Sequence, residues 1–280
     1  YLARAQKRTL LVDEDAPRNA VAEHAHGVIG FDGRPPSELR AAGRATLARY
    51  PEVTMLRARV RGVARSGDLL EATLSTGEVM RTRRVLVATG LVDELPVYSG
   101  LAERWGRSLF ACPHCHGHEA RGRRWGVLVS SGSMLRTALV CRAWTRDVVA
   151  FLVKGTQVDA AALRALTGRG VQILTEPIAA FHGPGGALTG VELEDGRRIP
   201  CEAFLVTPSR RHSELVTTLG LALDADGYVV ANDGLETSMR GVHVCGDAAG
   251  ARAQAVFSAA DGAAAAMSIV ESLTLEDLQA

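Results

Sequence analysis

Twice along this chain a short apolar run passes into a turn and a helix-like stretch, and few folds accept that rhythm. The later instance is the clearer one. Residues 126–130 read as a buried strand, a Ser/Gly loop follows, and a helix over 135–144 leads to a second strand at 147–153. A run apolar at nearly every position needs cover on both faces, which is how parallel strands sit between layers. The earlier instance is the strand 8–13 (RTLLVD), which ends in a carboxylate. In a dinucleotide-binding unit such an acid lies about 20 residues beyond a Gly-rich loop and binds a ribose. That loop is expected upstream of Tyr1.

Between and after these runs the pattern changes character. Residues 37–50 form an amphipathic helix with Ser37 as its N-cap. Residues 53–64, 69–75 and 79–83 alternate like antiparallel strands, and 84–90 (RVLVATG) is another buried strand. A hinge-like stretch covers 96–106. Beyond the second βα block come a helix at 159–167 and strands near 171–178, 190–193 and 203–206. The last section holds a strand ending in Gly-Asp at 241–247 and an Ala-rich helix over 256–273. Alternating strands and helices in two blocks predict an α/β architecture with β-rich crossovers.

Composition narrows the function classes. The 280 residues are 47% hydrophobic with a net charge of +1, which gives neither a nucleic-acid footprint nor an acidic tail. Lys occurs only at Lys7 and Lys154, so the basic residues are almost all Arg, a bias read here as genomic. No apolar run reaches the roughly 20 residues of a membrane span and no signal-like core is seen, so a cytoplasmic protein without a membrane partner is expected. The five cysteines, Cys112, Cys115, Cys141, Cys201 and Cys245, are too sparse and odd in number for a secreted disulfide scaffold. The last three sit in apolar surroundings and are expected to be inert.

The close pair is the chemical centre. Cys112-Pro113-His114-Cys115 is followed by His116-Gly117-His118-Glu119. Two thiols separated by two residues can close a disulfide, and such pairs often carry lowered pKa values. Three other readings use the same letters. Cys-Pro-His-Cys-His is formally a c-type haem attachment pattern, but that needs an export route. A structural zinc needs four ligands, and no second ligand pair follows at finger spacing. A buried, non-functional pair is the plainest alternative. No metal is expected.

Four segments, LLVDEDAPRNAVAEHAHG, RRVLVATGLVDELP, GLAERWGRSLFACPHCHGHE and TSMRGVHVCGDAAGARAQAVFSAADGAAAA, together resemble the low-molecular-weight thioredoxin-reductase family. The Cys-Pro-x-Cys-His-Gly-x-Glu signature is similar to the dithiol-oxidase branch, which closes disulfides in natural products such as gliotoxin and holomycin and so belongs to antibiotic biosynthesis. The resemblance implies two Rossmann-like, three-layer ββα domains, with an FAD domain (1–106 and 220–280) split around an inserted, degenerate nicotinamide-type domain (107–219). It implies FAD as cofactor, with Asp13 on the adenosine ribose and Arg18, Asn19 and His26 approaching the cofactor. Ala88, Thr89 and Gly90 would line its pyrophosphate or flavin side. Gly246 and Asp247 would lie at the ribityl chain, and Gln254 and Ala255 near the isoalloxazine. It further implies that Cys115 faces the flavin while Cys112 exchanges with substrate sulfur, and that the enzyme is a homodimer. Where thioredoxin reductases carry an acid after the second cysteine, this chain has His116, the expected base, with His114 or His118 as helper. A neutral imidazole can take a thiol proton near physiological pH.

The nicotinamide loop departs from the family pattern. After the strand near Val127, Val129 and Ser131 replace the first two loop glycines and leave Gly132 alone and out of phase. The next strand end offers Lys154 but no Arg fork for a 2′-phosphate. The expected activity is therefore oxidation of a small dithiol with O2 as acceptor, giving H2O2. An NADPH-dependent reductase of a protein disulfide is the alternative, and a non-catalytic metal- or haem-binding module the second.

Overall fold

The computed structural model describes residues 1–279, which divide into two compact units. The first comprises 1–20, 24–93 and the chain from Arg210 onward, and the second comprises 21–23 and 94–209. The sequence placed the second domain from Arg107 to Leu219; the chain instead leaves the first unit after Asp93 and returns at Arg210.

The second unit shows the rhythm in full. Its five-stranded sheet runs in the order Gln172–Leu174, Val148–Leu152, Trp125–Val129, Ala203–Leu205, Leu109–Phe110, with every adjacent pair parallel. The central strand Trp125–Val129 is buried at every position because both faces are covered. On one face the helices Gly132–Cys141 and Ala160–Thr167 supply Leu135, Ala138, Cys141 and Leu166 to a core with Trp125, Val127 and Val129. On the other face a three-stranded antiparallel sheet, Ile178–His182, Gly190–Leu193 and Arg198–Pro200, packs Phe181, Val191 and Leu193 against Leu128, Phe151 and Phe204. Gly126 is dictated by this packing: a Cβ there would fall 2.1 Å from the Phe204 ring.

The first unit has its parallel strands in two pairs, Thr9–Val12 with Val53–Leu56 and Val85–Val87 with Val242–Val244. A three-stranded antiparallel sheet, Val60–Ser66, Leu69–Leu74 and Val79–Thr82, sends Leu70 into a core with Val87, Val216, Val242 and Val244. Together the two units give the mixed α/β, Rossmann-type fold that was expected.

Local boundaries shift for identifiable reasons. The first helix spans Pro36–Leu47, not 37–50, because Pro36 supplies a fixed helical φ in its first turn and Ser37 falls inside. The helix after the central strand begins at Gly132, earlier than Leu135. The C-terminal helix spans Ala255–Gln279, longer than the 256–273 expected, and by length and composition alone it is long and apolar enough to cross a membrane. Within its unit this helix buries Ala265, Ala266, Ile269 and Leu273, and its last turns carry Glu276 and Asp277, ion-paired with Arg84 and with Arg83 and Lys7.

Candidate active site

The sulfur site grows from the edge of the five-stranded sheet. The edge strand Leu109–Phe110 is fully buried and fixes where the chain emerges. Cys112 is still extended (φ −127°, ψ 115°), and Pro113 opens a single helical turn, Pro113–His116. Proline fits the first helical position, where its missing N–H costs no hydrogen bond. The turn closes with Cys115 N–H donating to Cys112 O at 3.2 Å and Gly117 N–H to Pro113 O at 2.8 Å. Cys112 and Cys115 are joined as a disulfide with Cα atoms 5.3 Å apart, inside the range such a bond requires. Both are half-buried, so the bond is reachable from outside.

The flanking histidines differ from one another. His116 is half-buried, its ring parallel to that of Phe110 at 5.0 Å and 9°. His114 is exposed and meets Trp144 edge-on at 5.4 Å. His118 and Glu119 are exposed on the chain that follows. The remaining cysteines are buried, and burial is the main cause that drives the thiols of Cys141 and Cys201 up to about 12 and that of Cys245, with a further push from Asp261, up to about 11. A thiol so displaced holds almost no thiolate near neutrality, so only the close pair is placed for exchange. Among the described residues no group of three or more His, Cys, Asp or Glu could hold a metal ion.

The residues expected at a cofactor all lie in the first unit. Asp13 follows the strand Thr9–Val12; its carboxylate accepts from Arg44 Nη2 at 2.7 Å and from the Asp15 N–H at 2.9 Å. The Arg44 hydrogen bond, then that from Asp15, hold its pKa below the usual carboxylate range. A carboxylate offers about four acceptor positions, so Asp13 keeps capacity for sugar hydroxyls. Ala88 and Thr89 are exposed at the carboxyl end of Val85–Val87, and Thr89 Oγ1 lies 2.8 Å from Ser213 Oγ. Gly90, at φ +60°, adjoins Asp247: a Cβ on it would be 3.9 Å from the Asp247 Cβ. Gly246, at φ +70°, turns the chain after the partner strand Val242–Val244.

Arg18 is committed more fully than its sequence position indicated. Its Nε and Nη2 form a fork on the Asp93 carboxylate at 2.7 and 2.8 Å, while Nη1 donates to Asp247 at 2.8 Å. Ser258 also donates to Asp247, at 3.4 Å. Arg18, Gly90, Gly246 and Asp247 therefore form one cluster, to which sequence reading missed Asp93 and Ser258. Asn19 and Ala255 are exposed, Gln254 is half-buried just before the C-terminal helix, and His26 Nδ1 lies 3.4 Å from Asp32. Trp144, Phe110 and Arg44 were missed as well; no spacing rule links them to the residues they hold.

Ligands of open α/β sheets bind beyond the carboxyl ends of parallel strands. Asp13, the Ala88–Thr89–Gly90 turn and Asp247 occupy such ends. Carboxylate acceptors beside exposed, small-residue backbone fit a dinucleotide with sugar hydroxyls and a pyrophosphate. In the second unit the corresponding end carries Ser131, Gly132 and Ser133, with Ser131 Oγ 2.8 Å from Ser133 Oγ. Gly132 opens the helix there, and Lys154 is exposed at the next strand end.

Comparison with known proteins follows the same lines. The family model described as pyridine nucleotide-disulphide oxidoreductase matches residues 1–266. Thioredoxin reductase sirT of Leptosphaeria maculans is 30% identical over 287 residues, covering 94% of this chain and 86% of that protein. Thioredoxin reductase aclD of Aspergillus oryzae is 29% identical over 292 residues, covering 99% and 92%. Among solved structures, HlmI superimposes with a TM-score of 0.94 at 37% identity, covering 99% of this chain and 88% of its own. A putative thioredoxin reductase TrxB from Bacillus anthracis gives 0.92 at 27% identity, covering 99% and 93%.

Proposed function

Since the chain belongs to the pyridine nucleotide-disulphide oxidoreductase family, we propose that it is an FAD-dependent oxidase of a small dithiol, working through Cys112 and Cys115 with O2 as terminal acceptor. The observation that carries this reading is the reachable Cys112–Cys115 disulfide on its single helical turn. In this reading the first unit holds FAD through Asp13, Gly90, Gly246 and Asp247, and the second unit supplies the sulfurs.

The cycle balances in protons and electrons. One thiolate of the substrate attacks the enzyme disulfide, forms a mixed disulfide at Cys112 and releases Cys115. The second substrate sulfur then attacks the first, closes the product disulfide and frees Cys112. Two thiol protons and one electron pair have then moved from substrate to the cysteine pair. His116, held by its stack on Phe110, takes the proton that must leave a thiol before it attacks, with His114 as helper. FAD, held by Asp13, Gly90, Gly246 and Asp247, would supply the two-electron sink needed to restore the Cys112–Cys115 disulfide, with O2 as the terminal acceptor giving H2O2.

The loop chemistry of the second unit supports oxygen over a nicotinamide. Val129 and Ser131 stand in place of the first two loop glycines, and a lone Lys154 in place of the Arg fork that a 2′-phosphorylated dinucleotide uses. The relatives' own names favour the other reading, a reductase that takes electrons from NADPH and passes them to a protein disulfide. One experiment separates the two. Under argon, a small dithiol should bleach the flavin absorbance of the purified protein, and air should restore it with one H2O2 per turnover. Bleaching by NADPH and not by dithiol would establish the reductase instead, and a colourless preparation would defeat both. The same reading carries a cytoplasmic homodimer, which light scattering checks.

A further inference from the structure

The turn that carries the sulfurs rests on a column of aromatic rings assembled from distant parts of the second unit. Trp125, wholly buried on the central strand, donates its Nε1–H to Ala120 O at 2.9 Å. Trp144 lies beyond the end of the helix Gly132–Cys141, and its ring is parallel to that of Trp125 at 6.1 Å and 8°. Its carbonyl accepts from the Gly122 N–H at 3.0 Å. The segment from Cys112 to Gly122 is thereby pinned at its far end by two tryptophans.

The near end meets the same column. Gly117, buried directly after the redox turn, leaves no space between turn and indole. A Cβ built on it would fall 2.6 Å from two ring carbons of Trp144 and 2.4 Å from the Pro113 carbonyl. His114, between the two cysteines, meets the same indole edge-on at 5.4 Å and 79°. On the opposite side Phe110 packs edge-on to Trp125 at 5.4 Å and carries His116 on its face. Such ring pairs stabilise their contact beyond the area they bury.

We propose that Trp144 is a positioning residue for the Cys112–Cys115 pair, acting through Gly117 and His114; this rests on the reading of that pair as the redox centre. The indole fixes how closely the turn lies on the sheet and so limits how far Cys112 and Cys115 separate once reduced. A dithiol held near its bonded geometry loses little freedom when the bond re-forms, which favours the disulfide. Removing the seat frees the reduced turn, so the disulfide becomes easier to reduce and slower to re-form.

The test is a glutathione redox titration of the purified flavoprotein, following Cys112–Cys115 by thiol alkylation and mass. Gly117→Ala leaves the indole in place, and φ at 117 (−65°) suits alanine, so the added methyl acts by pressing on the indole and on the Pro113 carbonyl and displacing the turn. Gly117→Ala and Trp144→Leu are expected to shift the dithiol–disulfide equilibrium toward dithiol by about tenfold. They should also slow dithiol-driven flavin bleaching by up to about 10²-fold, since small displacements at a reacting centre carry that cost. Trp144→Phe, which keeps a ring face, should stay near wild type. If Gly117→Ala, Trp144→Leu and wild type titrate on one curve, the seat has no role and the proposal is overturned, while the redox reading survives. If wild type shows no exchange with glutathione, it is the redox reading that fails. Should Trp144→Leu not fold, by thermal melting, Gly117→Ala decides.

Discussion

The two units place different chemistry at the same structural position. Both run parallel strands into short turns, yet the strand ends of the first carry Asp13, Thr89, Gly90 and Asp247, and those of the second carry Ser131, Gly132 and Lys154. In the first unit the acids are already organised: Arg44 holds Asp13, and Arg18 spans Asp93 and Asp247. In the second, Ser131 Oγ lies 2.8 Å from Ser133 Oγ in the loop, and at the edge strand the cysteine turn sits on aromatic rings. A shared backbone plan thus constrains where a dinucleotide can lie, but the acceptors and cations at the strand ends decide whether one is held.

Several experiments sharpen or break this contrast. The largest effect belongs to Cys115→Ser, which should abolish flavin bleaching by dithiol; retained bleaching would remove the sulfur turn from the reaction. His116→Ala should slow anaerobic dithiol-driven bleaching by ~10²–10⁴-fold, measured by stopped flow. An unchanged rate eliminates it as the base. In the first unit, Asp247→Ala removes an acceptor for a sugar hydroxyl and strands one arm of Arg18. FAD affinity, read by fluorescence on dilution, should fall roughly 10–100-fold, the weight of a hydrogen bond to a charged group. If FAD binds as before, the strand-end assignment is wrong.

A smaller effect is pH-dependent. His243, 2% exposed on Val242–Val244, is held below its usual pKa of 6.5 by burial, with Glu236 offsetting part of the shift. The fold keeps it neutral and the unfolded chain lets it take a proton. This contribution to stability is therefore intact above pH 6.5 and lost as pH falls through the lowered value of the folded state. Asp13, also lowered, adds a second loss further into acid, below its usual 3.8. Melting temperature against pH should fall on the acid side, and His243→Gln should flatten the first part of that fall. The smallest effect on activity is that of Cys141→Ser. This fully buried thiol should leave turnover untouched while the hydroxyl lowers stability by about 1–3 kcal/mol. Lost turnover without lost stability would mean that a cysteine outside the pair takes part.

Much of this was legible because it is local. The apolar run at 126–130, followed by a turn and a helical stretch, reads as a buried strand, and Cys112-Pro113-His114-Cys115 states its own spacing and start signal. The burial of Cys141, Cys201 and Cys245 followed from their apolar neighbours. By contrast, the sheet order, the unit boundary at Asp93 and Arg210, and the start of the helix at Gly132 rest on pairings across the chain.

The sequence alone determined which chemically capable groups stand together: a cysteine pair with adjacent imidazoles, acids after apolar runs, and a loop short of glycines. Only the tertiary structure decided what holds them. Arg18 meets Asp247 across 229 positions of chain, and Trp144 reaches the turn only because its helix folds back on the strand between them. Local spacing encodes covalent reach and helical or extended period, whereas ion-pair forks and stacked rings depend on long-range packing that no short window of residues contains.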